Sequence, residues 1–326
     1  MNKKVLAIVF AILAAAFYAV NVPFSKILLS DVGPSMMSSY LYLGAGISMG
    51  CLFLYQRKNL RKEDLLERKD LPYTIGMVVL DIAAPILLMY GITMTTSENV
   101  SLLNNFEIVA TALIALMMFK EKISRNLWVA IILIVISGAI LTFENSNGFV
   151  INAGSLCVLG ACCCWGLENN CTRAISDKSS SEIVMVKGLC SGTGCFIIAT
   201  LTGETVPETI YIVLALLLGT VSYGLSINLY IMAQRHIGAA KTGAYYAVAP
   251  FLGVVFAFIF CSEIPGPSFF VAFAIMAVAT VMVIRDTLGT EKEHIHNHEH
   301  RHGDLVHSHP HGRFHHIVPL HIRHRI

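Results

Sequence analysis

Tyr18-Ala19-Val20-Asn21, leading to Ser25-Lys26, recurs 147 positions later as Trp165-Gly166-Leu167-Glu168 leading to Thr172-Arg173. The order is aromatic, small, apolar, polar, then hydroxyl plus cation, and both copies sit inside long apolar runs. Gly46 and Gly50 likewise recur as Gly188 and Gly192, now 142 positions on, and the same 142 carries Glu121 onto Glu263. A chain that repeats itself over this distance is built from two related halves.

Each half divides into apolar windows of about 20 residues, the length that crosses about 30 Å of hydrocarbon. The windows place ten helices at 5–29, 35–54, 72–91, 98–119, 126–143, 154–174, 182–202, 209–232, 239–261 and 267–284. Five spans per unit is an odd number, so the second unit enters the membrane upside down, the inverted-topology signature of secondary transporters. The expected fold is therefore an all-α membrane protein of two inverted five-helix repeats, 1–143 and 154–284, followed by a disordered His-rich tail, 285–326. Composition agrees: 55% of the 326 residues are hydrophobic and 13% charged, and the mean hydropathy is +0.67. An ordinary soluble surface needs a charged share of about 25%. The net charge of +2 gives no reason to expect a nucleic-acid partner; the implied surroundings are a lipid bilayer.

Orientation is read from Lys and Arg. The loops after helices 2, 4, 6 and 8 carry Arg57, Lys58, Arg61, Lys62, Arg68 and Lys69; Lys120, Lys122 and Arg125; Arg173 and Lys178; and Arg235 and Lys241. The loops after helices 3, 5, 7 and 9 carry none, and the loop after helix 1 has Lys26 at its margin. Both termini are expected in the cytoplasm, with the chain in the plasma membrane. Lys3-Lys4, the following apolar run and Ala14-Ala15-Ala16 also read as a secretory signal peptide, but the apolar character continues to Leu29 and the segment has its partner in helix 6. The nine cysteines lie in apolar segments without a disulfide framework and read as small core residues.

Asn105-Phe106-Glu107-Ile108, running on to Met118-Phe119-Lys120-Glu121-Lys122-Ile123-Ser124 and then Ser137-Gly138-Ala139-Ile140, resembles the end of a repeat in the EamA family of the drug/metabolite transporter superfamily. Tyr246-Ala247-Val248-Ala249-Pro250-Phe251-Leu252-Gly253 through Ser262-Glu263-Ile264-Pro265 is similar to the same pattern. The resemblance spans residues 5–284 and implies ten helices in two inverted repeats that move small organic metabolites. One departure is visible: Pro250 has Ile108 as its counterpart, beside Glu107.

An ionisable side chain at mid-bilayer costs from about 2.5 kcal/mol upward, so it is expected to face a cavity and to serve function. Asp81, Glu107 and Glu168 meet that description. Glu107 is flanked by Asn104 and Asn105, Glu168 by Asn169 and Asn170, and consecutive residues point about 100° apart on a helix. Not every member of either run can face one cavity, although Asn104 and Glu107, three apart, can share a face. Asn21, Asn228 and Tyr246 complete the expected pathway. The alternative for each is a helix-to-helix bond that only fixes packing. A carboxyl removed from water can exchange protons near neutrality, so proton coupling through Glu107 or Asp81 is an expectation. The glycine pairs are read as close contacts between the repeats rather than in a dimer. Glu121 and Glu263 are read as loop ties.

Twelve of the thirteen histidines lie in the tail, among them His294, His296, His298, His300, His302, His307, His309 and His311. Neutral imidazoles on an adaptable chain suit Zn²⁺, Ni²⁺, Co²⁺ or Cu²⁺. They also titrate near neutrality and lie among basic residues that could meet anionic lipid. No cofactor is required. Cys162-Cys163-Cys164 cannot all face one ion. The expected function is alternating-access transport of a small organic solute, with a tail-regulated divalent-metal transporter as the alternative. With no His-Glu-x-x-His or Gly-x-Ser-x-Gly motif, no catalytic residue is assigned and an enzyme is not expected; with no phosphate-binding Gly-rich loop, neither is ATP-driven pumping.

Overall fold

A computed structural model describes residues 3–119, 124–145, 149–175, 178–237, 242, 245–261, 266–293, 295–302 and 305–312. The helices are α1 Lys3–Ala19, α2 Asn21–Leu28, α3 Pro34–Gln56, α4 Leu71–Met94, α5 Ser97–Leu103, α6 Phe106–Phe119, α7 Arg125–Thr142, α8 Ala153–Ala174, α9 Ser180–Leu201, α10 Thr209–Gly219, α11 Ser226–Ile237, α12 Ala249–Cys261 and α13 Pro267–Glu293. A π-helical turn, Thr220–Leu225, joins α10 to α11. Among the described residues, six helical stretches are long and apolar enough to cross a membrane, and α7 and α12 supply shorter apolar helices. The chain is a multi-pass membrane protein. Large apolar side chains such as Ile47, Val79, Leu156, Ile197 and Val278 remain on the outside, as a lipid solvent allows.

The expected windows are recovered, but several are interrupted. The first divides at Val20, where Pro23 lacks the N–H that would bond Ala19 O. The fourth divides at Asn104-Asn105: Asn104 N bonds Val100 O, but Asn105 N, Glu107 N and Ile108 N each bond three residues back, to Leu102 O, Asn104 O and Asn105 O. That tightened ladder separates α5 from α6. The eighth contains the π-helical turn, a wider ring of the kind that recurs at functional sites. Of the ninth, α12 and the residues just before it are described; Glu121 and Glu263 lie outside the described residues.

Small residues bring the two halves into contact. A Cβ built on Gly188 would lie 2.4 Å from Gly46 N, and one on Gly46 would lie 2.5 Å from Leu189 N, so α3 and α9 touch backbone to backbone. Gly44 and Gly219 meet Leu216 O and Leu41 O in the same manner where α3 crosses α10. These glycines form the contact between halves that their spacing suggests.

Loop contacts sort the ends of the spans into two faces. On one, Lys178 Nζ bonds Glu63 O at 2.8 Å and Glu67 Oε1 at 3.2 Å, Ser179 N bonds Asp64 O at 2.6 Å, and Ser124 Oγ bonds Asp286 Oδ1 at 2.6 Å. Lys69 and Lys178 hold the Glu67 carboxyl below the usual carboxylate range. On the other, Glu204 accepts from Ser35 N and Met36 N at 3.0 and 2.7 Å, Asn152 Nδ2 donates to Thr95 Oγ1 at 3.3 Å, and Lys26 Nζ donates to Ile92 O and Thr95 O at 2.6 and 2.7 Å. The loops after the second and sixth spans thus meet each other, and the start of α7 meets the residues that follow the tenth span.

Among the described residues, two short antiparallel ladders lie outside the helices: β1 Phe143–Asn145 with β2 Phe149–Ile151, between the halves, and β3 Ile295–His302 with β4 Leu305–Gly312, in the tail. The second falls in the stretch that the sequence reads as a disordered tail. Its alternation of His with other residues has the strand period of two, although a lone two-stranded hairpin is marginal in water. His294 lies outside the described residues.

Candidate functional site

Charged groups from three helices meet inside the bundle. Lys187 Nζ on α9 lies 3.1 Å from Asp81 Oδ2 on α4 and 3.1 Å from Glu168 Oε1 on α8. Asp81 is 0% and Glu168 2% exposed, and the lysine side chain only 12%. Two carboxylates sharing one ammonium can be buried because each is paired, where a lone one would carry a heavy desolvation cost. Tyr42 OH on α3 donates to Asp81 Oδ1 at 2.9 Å, and Trp165 Nε1 on α8 donates to the Tyr42 oxygen at 3.4 Å. Thr172 Oγ1, one turn along α8, donates to Glu168 Oε1.

A second polar group lies beside the first. Glu107 stands in the first turn of α6, where the helix dipole favours negative charge. Its Oε1 accepts from Asn169 Nδ2 at 2.6 Å, and the same amide lies 3.4 Å from Thr111 Oγ1. The run Glu168-Asn169-Asn170 is divided by helical geometry: Glu168 turns to Lys187, Asn169 to Glu107, and Asn170 Nδ2 to Gly166 O at 2.7 Å and Thr111 O at 3.3 Å. Glu107 and Asn169 stay partly accessible, whereas Asn170 is closed off.

Tyrosine rings extend from the charged triad. Tyr42 and Tyr223 have centroids 5.0 Å apart, Tyr223 and Tyr18 6.0 Å, Tyr18 and Tyr246 5.9 Å, and Tyr246 and Tyr230 5.0 Å. Tyr223 is placed by the π-helical turn, and its hydroxyl accepts from Asn21 Nδ2 at 3.2 Å while Ser25 Oγ donates to Asn21 Oδ1 at 3.1 Å. Asn21 and Glu168, matched in sequence 147 apart, therefore both deliver polar groups to this region.

Of the residues expected from sequence, the structure brings together Asp81 and Glu168 through Lys187, Glu107 with Asn169, and Asn21 and Tyr246 through the rings. Asn104 and Asn105 are buried at the break between α5 and α6. Their Oδ1 atoms have no hydrogen-bond partner among the described residues, and Asn104 reaches Glu107 only through the backbone. Asn228 bonds Met232 Sδ, one turn along its own helix, at 3.9 Å. The cysteines divide differently from expectation. Cys162 and Cys195 are buried and donate to carbonyls of neighbouring helices, Leu103 O and Ile82 O, each at 3.7 Å, whereas Cys51, Cys163 and Cys190 are exposed.

Sequence reasoning missed Lys187, Tyr42, Trp165 and Tyr223. Lys187 was open to the same physical rule that selected the acids, since it too lies within an apolar window. Trp165 stands in the repeated motif, but neither it nor Tyr42 and Tyr223 carried a signal for the site itself, because aromatics in an apolar helix are usually packing. Among the described residues, no group of three or more His, Cys, Asp or Glu is placed to hold a metal.

Comparisons with known proteins agree on the type of molecule. An uncharacterized transporter of Methanothermobacter thermautotrophicus is 27% identical over 273 residues, covering 77% of this chain and 78% of that one. A solved crystal structure, 11% identical, superposes with a TM-score of 0.62 over 86% of this chain and 95% of its own, a likeness of fold. The model of the EamA-like transporter family matches residues 5–143 and again 152–285. Two matches that together take in nearly all of the membrane body leave one conclusion: the chain belongs to the EamA-like transporter family, and it is a membrane transporter.

Proposed function

We propose that the protein is a secondary transporter of a small organic solute, working by alternating access of two inverted halves, 1–143 and 154–284, around the site at Asp81, Lys187, Glu168 and Glu107. The observation that carries this reading is the charged triad: Asp81, from one half, is tied to Lys187 and Glu168, from the other, by one ammonium group. Rocking one half against the other strains that tie, so a solute that engages it senses the relative position of the halves. Glu107, paired with a neutral amide and partly open, is the residue best placed to meet solute directly, with Asn169 against it and Tyr246 further along the series of rings. The remaining pathway candidates, Asn21, Asn104, Asn105 and Asn228, keep that standing as part of the proposal.

Cytoplasmic termini and a plasma-membrane location belong to the same proposal; the Lys/Arg bias of the loops after the second, fourth, sixth and eighth spans supports the orientation. Proton coupling through Glu107 or Asp81 belongs to the same reading. If Glu107→Gln and Asp81→Asn, each correctly inserted, both keep full pH-gradient-driven flux, coupling through these groups is contradicted. The function itself is tested by counterflow of labelled metabolite pools into proteoliposomes. Saturable flux that Lys187→Met reduces at least tenfold supports the reading, and absence of flux for every pool contradicts it.

A metal-linked reading rests on the tail: alternating imidazoles from His296 to His311 suit Zn²⁺, Ni²⁺, Co²⁺ or Cu²⁺. Metal-dependent uptake in cells that disappears when residues 290–326 are removed would favour it over the organic solute.

A further inference from the structure

Resting on the transporter reading, we propose that the solute is an organic cation, an amine or quaternary ammonium group received by the Glu107 carboxylate and the tyrosine rings beside it. Charge counting is the first observation. The centre holds three carboxylates, Asp81, Glu168 and Glu107, against one ammonium, Lys187, and that ammonium is committed to Asp81 and Glu168 at 3.1 Å each. Glu107 has no cation at ion-pair distance among the described residues; its partner is the Asn169 amide at 2.6 Å.

Accessibility is the second. Glu107 and Asn169 both keep part of their surface open, although they lie within helices that cross the bilayer. A carboxylate facing hydrocarbon is strongly disfavoured. The open side of Glu107 therefore faces a space that holds water or solute.

The third is the nature of the wall. Trp165, one turn before Asn169 on α8, donates to the Tyr42 oxygen at 3.4 Å, and from Tyr42 the rings of Tyr223, Tyr18 and Tyr246 follow one another at 5.0, 6.0 and 5.9 Å between centroids. Aromatic faces are negative and attract ammonium groups, most strongly where water is excluded. An anionic solute would meet Glu107 and Glu168 as like charges. The carboxylate of a zwitterion would find Lys187 already shared by two acids.

The test uses the purified full-length protein and its thermal unfolding. The cationic probes are tetramethylammonium, phenethylammonium and benzyltrimethylammonium, with benzyl alcohol and benzoate as the neutral and anionic counterparts. At least one cation is expected to raise the unfolding temperature saturably while benzyl alcohol and benzoate do not. Glu107→Gln, close to isosteric, is expected to raise the half-saturating concentration of that cation at least tenfold. Tyr246→Phe, which keeps the ring, should hold it within twofold, and Tyr246→Leu should raise it severalfold.

Stabilisation by benzoate or benzyl alcohol equal to that by the cations overturns the proposal. So does absence of stabilisation by all three cations, or an unchanged response in Glu107→Gln. Proteoliposome counterflow separates the two readings. Flux of a neutral or zwitterionic solute by a protein that binds none of the cations overturns the organic-cation site and leaves the transporter standing. Cation binding lost in Glu107→Gln, with no flux of any solute, upholds the site and overturns the transport reading.

Discussion

Lys187 is the charge that lets Asp81 and Glu168 be buried together, so its removal strands two carboxylates in a low-dielectric interior. Breaking one partner of such a pair typically costs about 3–5 kcal/mol. Lys187→Met is therefore expected to lower the unfolding temperature of the purified protein by several degrees. Lys187→Met with Asp81→Asn should recover part of that loss, because fewer charges are left unpaired, and a double variant less stable than Lys187→Met alone would contradict the shared-ammonium arrangement. At this scale the sequence was half legible. Asp81, Glu107 and Glu168 stand out because carboxylates are costly in hydrocarbon. Lys187, five residues inside its window, answers to the same rule, but only the fold shows it turned inward to Asp81 and Glu168.

Among the elements, contact between helices depends on single missing methyl groups. A Cβ on Gly188 would strike the Gly46 backbone at 2.4 Å, whereas one on Gly50 would meet Met185 Cγ at 3.4 Å, an ordinary contact with a flexible side chain. Gly188→Ala should accordingly destabilise by about 1–3 kcal/mol, the cost of overpacking. Gly50→Ala should be neutral or slightly stabilising, since alanine is the better helix former by about 1 kcal/mol. Thermal unfolding of the two single variants checks the contrast, and equal losses would count against the α3–α9 approach. The ten apolar windows were readable because length and hydropathy are properties of sequence alone. The divisions at Val20 and Asn104-Asn105 and the π-helical turn at Thr220–Leu225 were not, because a change of hydrogen-bond ladder leaves hydrophobicity unaltered. The Asn104-Asn105 pair did announce itself, as a pair of candidate ligands; its position at a helix break was visible only in the fold.

For the whole molecule, the repeat of Tyr18-Ala19-Val20-Asn21 in Trp165-Gly166-Leu167-Glu168 suggests a two-part chain, and the family model matches two stretches, 5–143 and 152–285. The tail stands apart from this body. Removing residues 290–326 is expected to abolish tight Ni²⁺ or Zn²⁺ binding, measured by calorimetry, while leaving solute counterflow within twofold; loss of counterflow would tie the tail to transport. The central claim is that the region around Glu107 and Asn169 opens to each side of the membrane in turn. It is tested most directly by replacing the nine native cysteines, placing one at position 169, and labelling oriented vesicles with a membrane-impermeant thiol reagent applied from one side or the other. The account predicts labelling from both sides, slowed by a bound solute. Labelling from one side alone, or from neither, would contradict it.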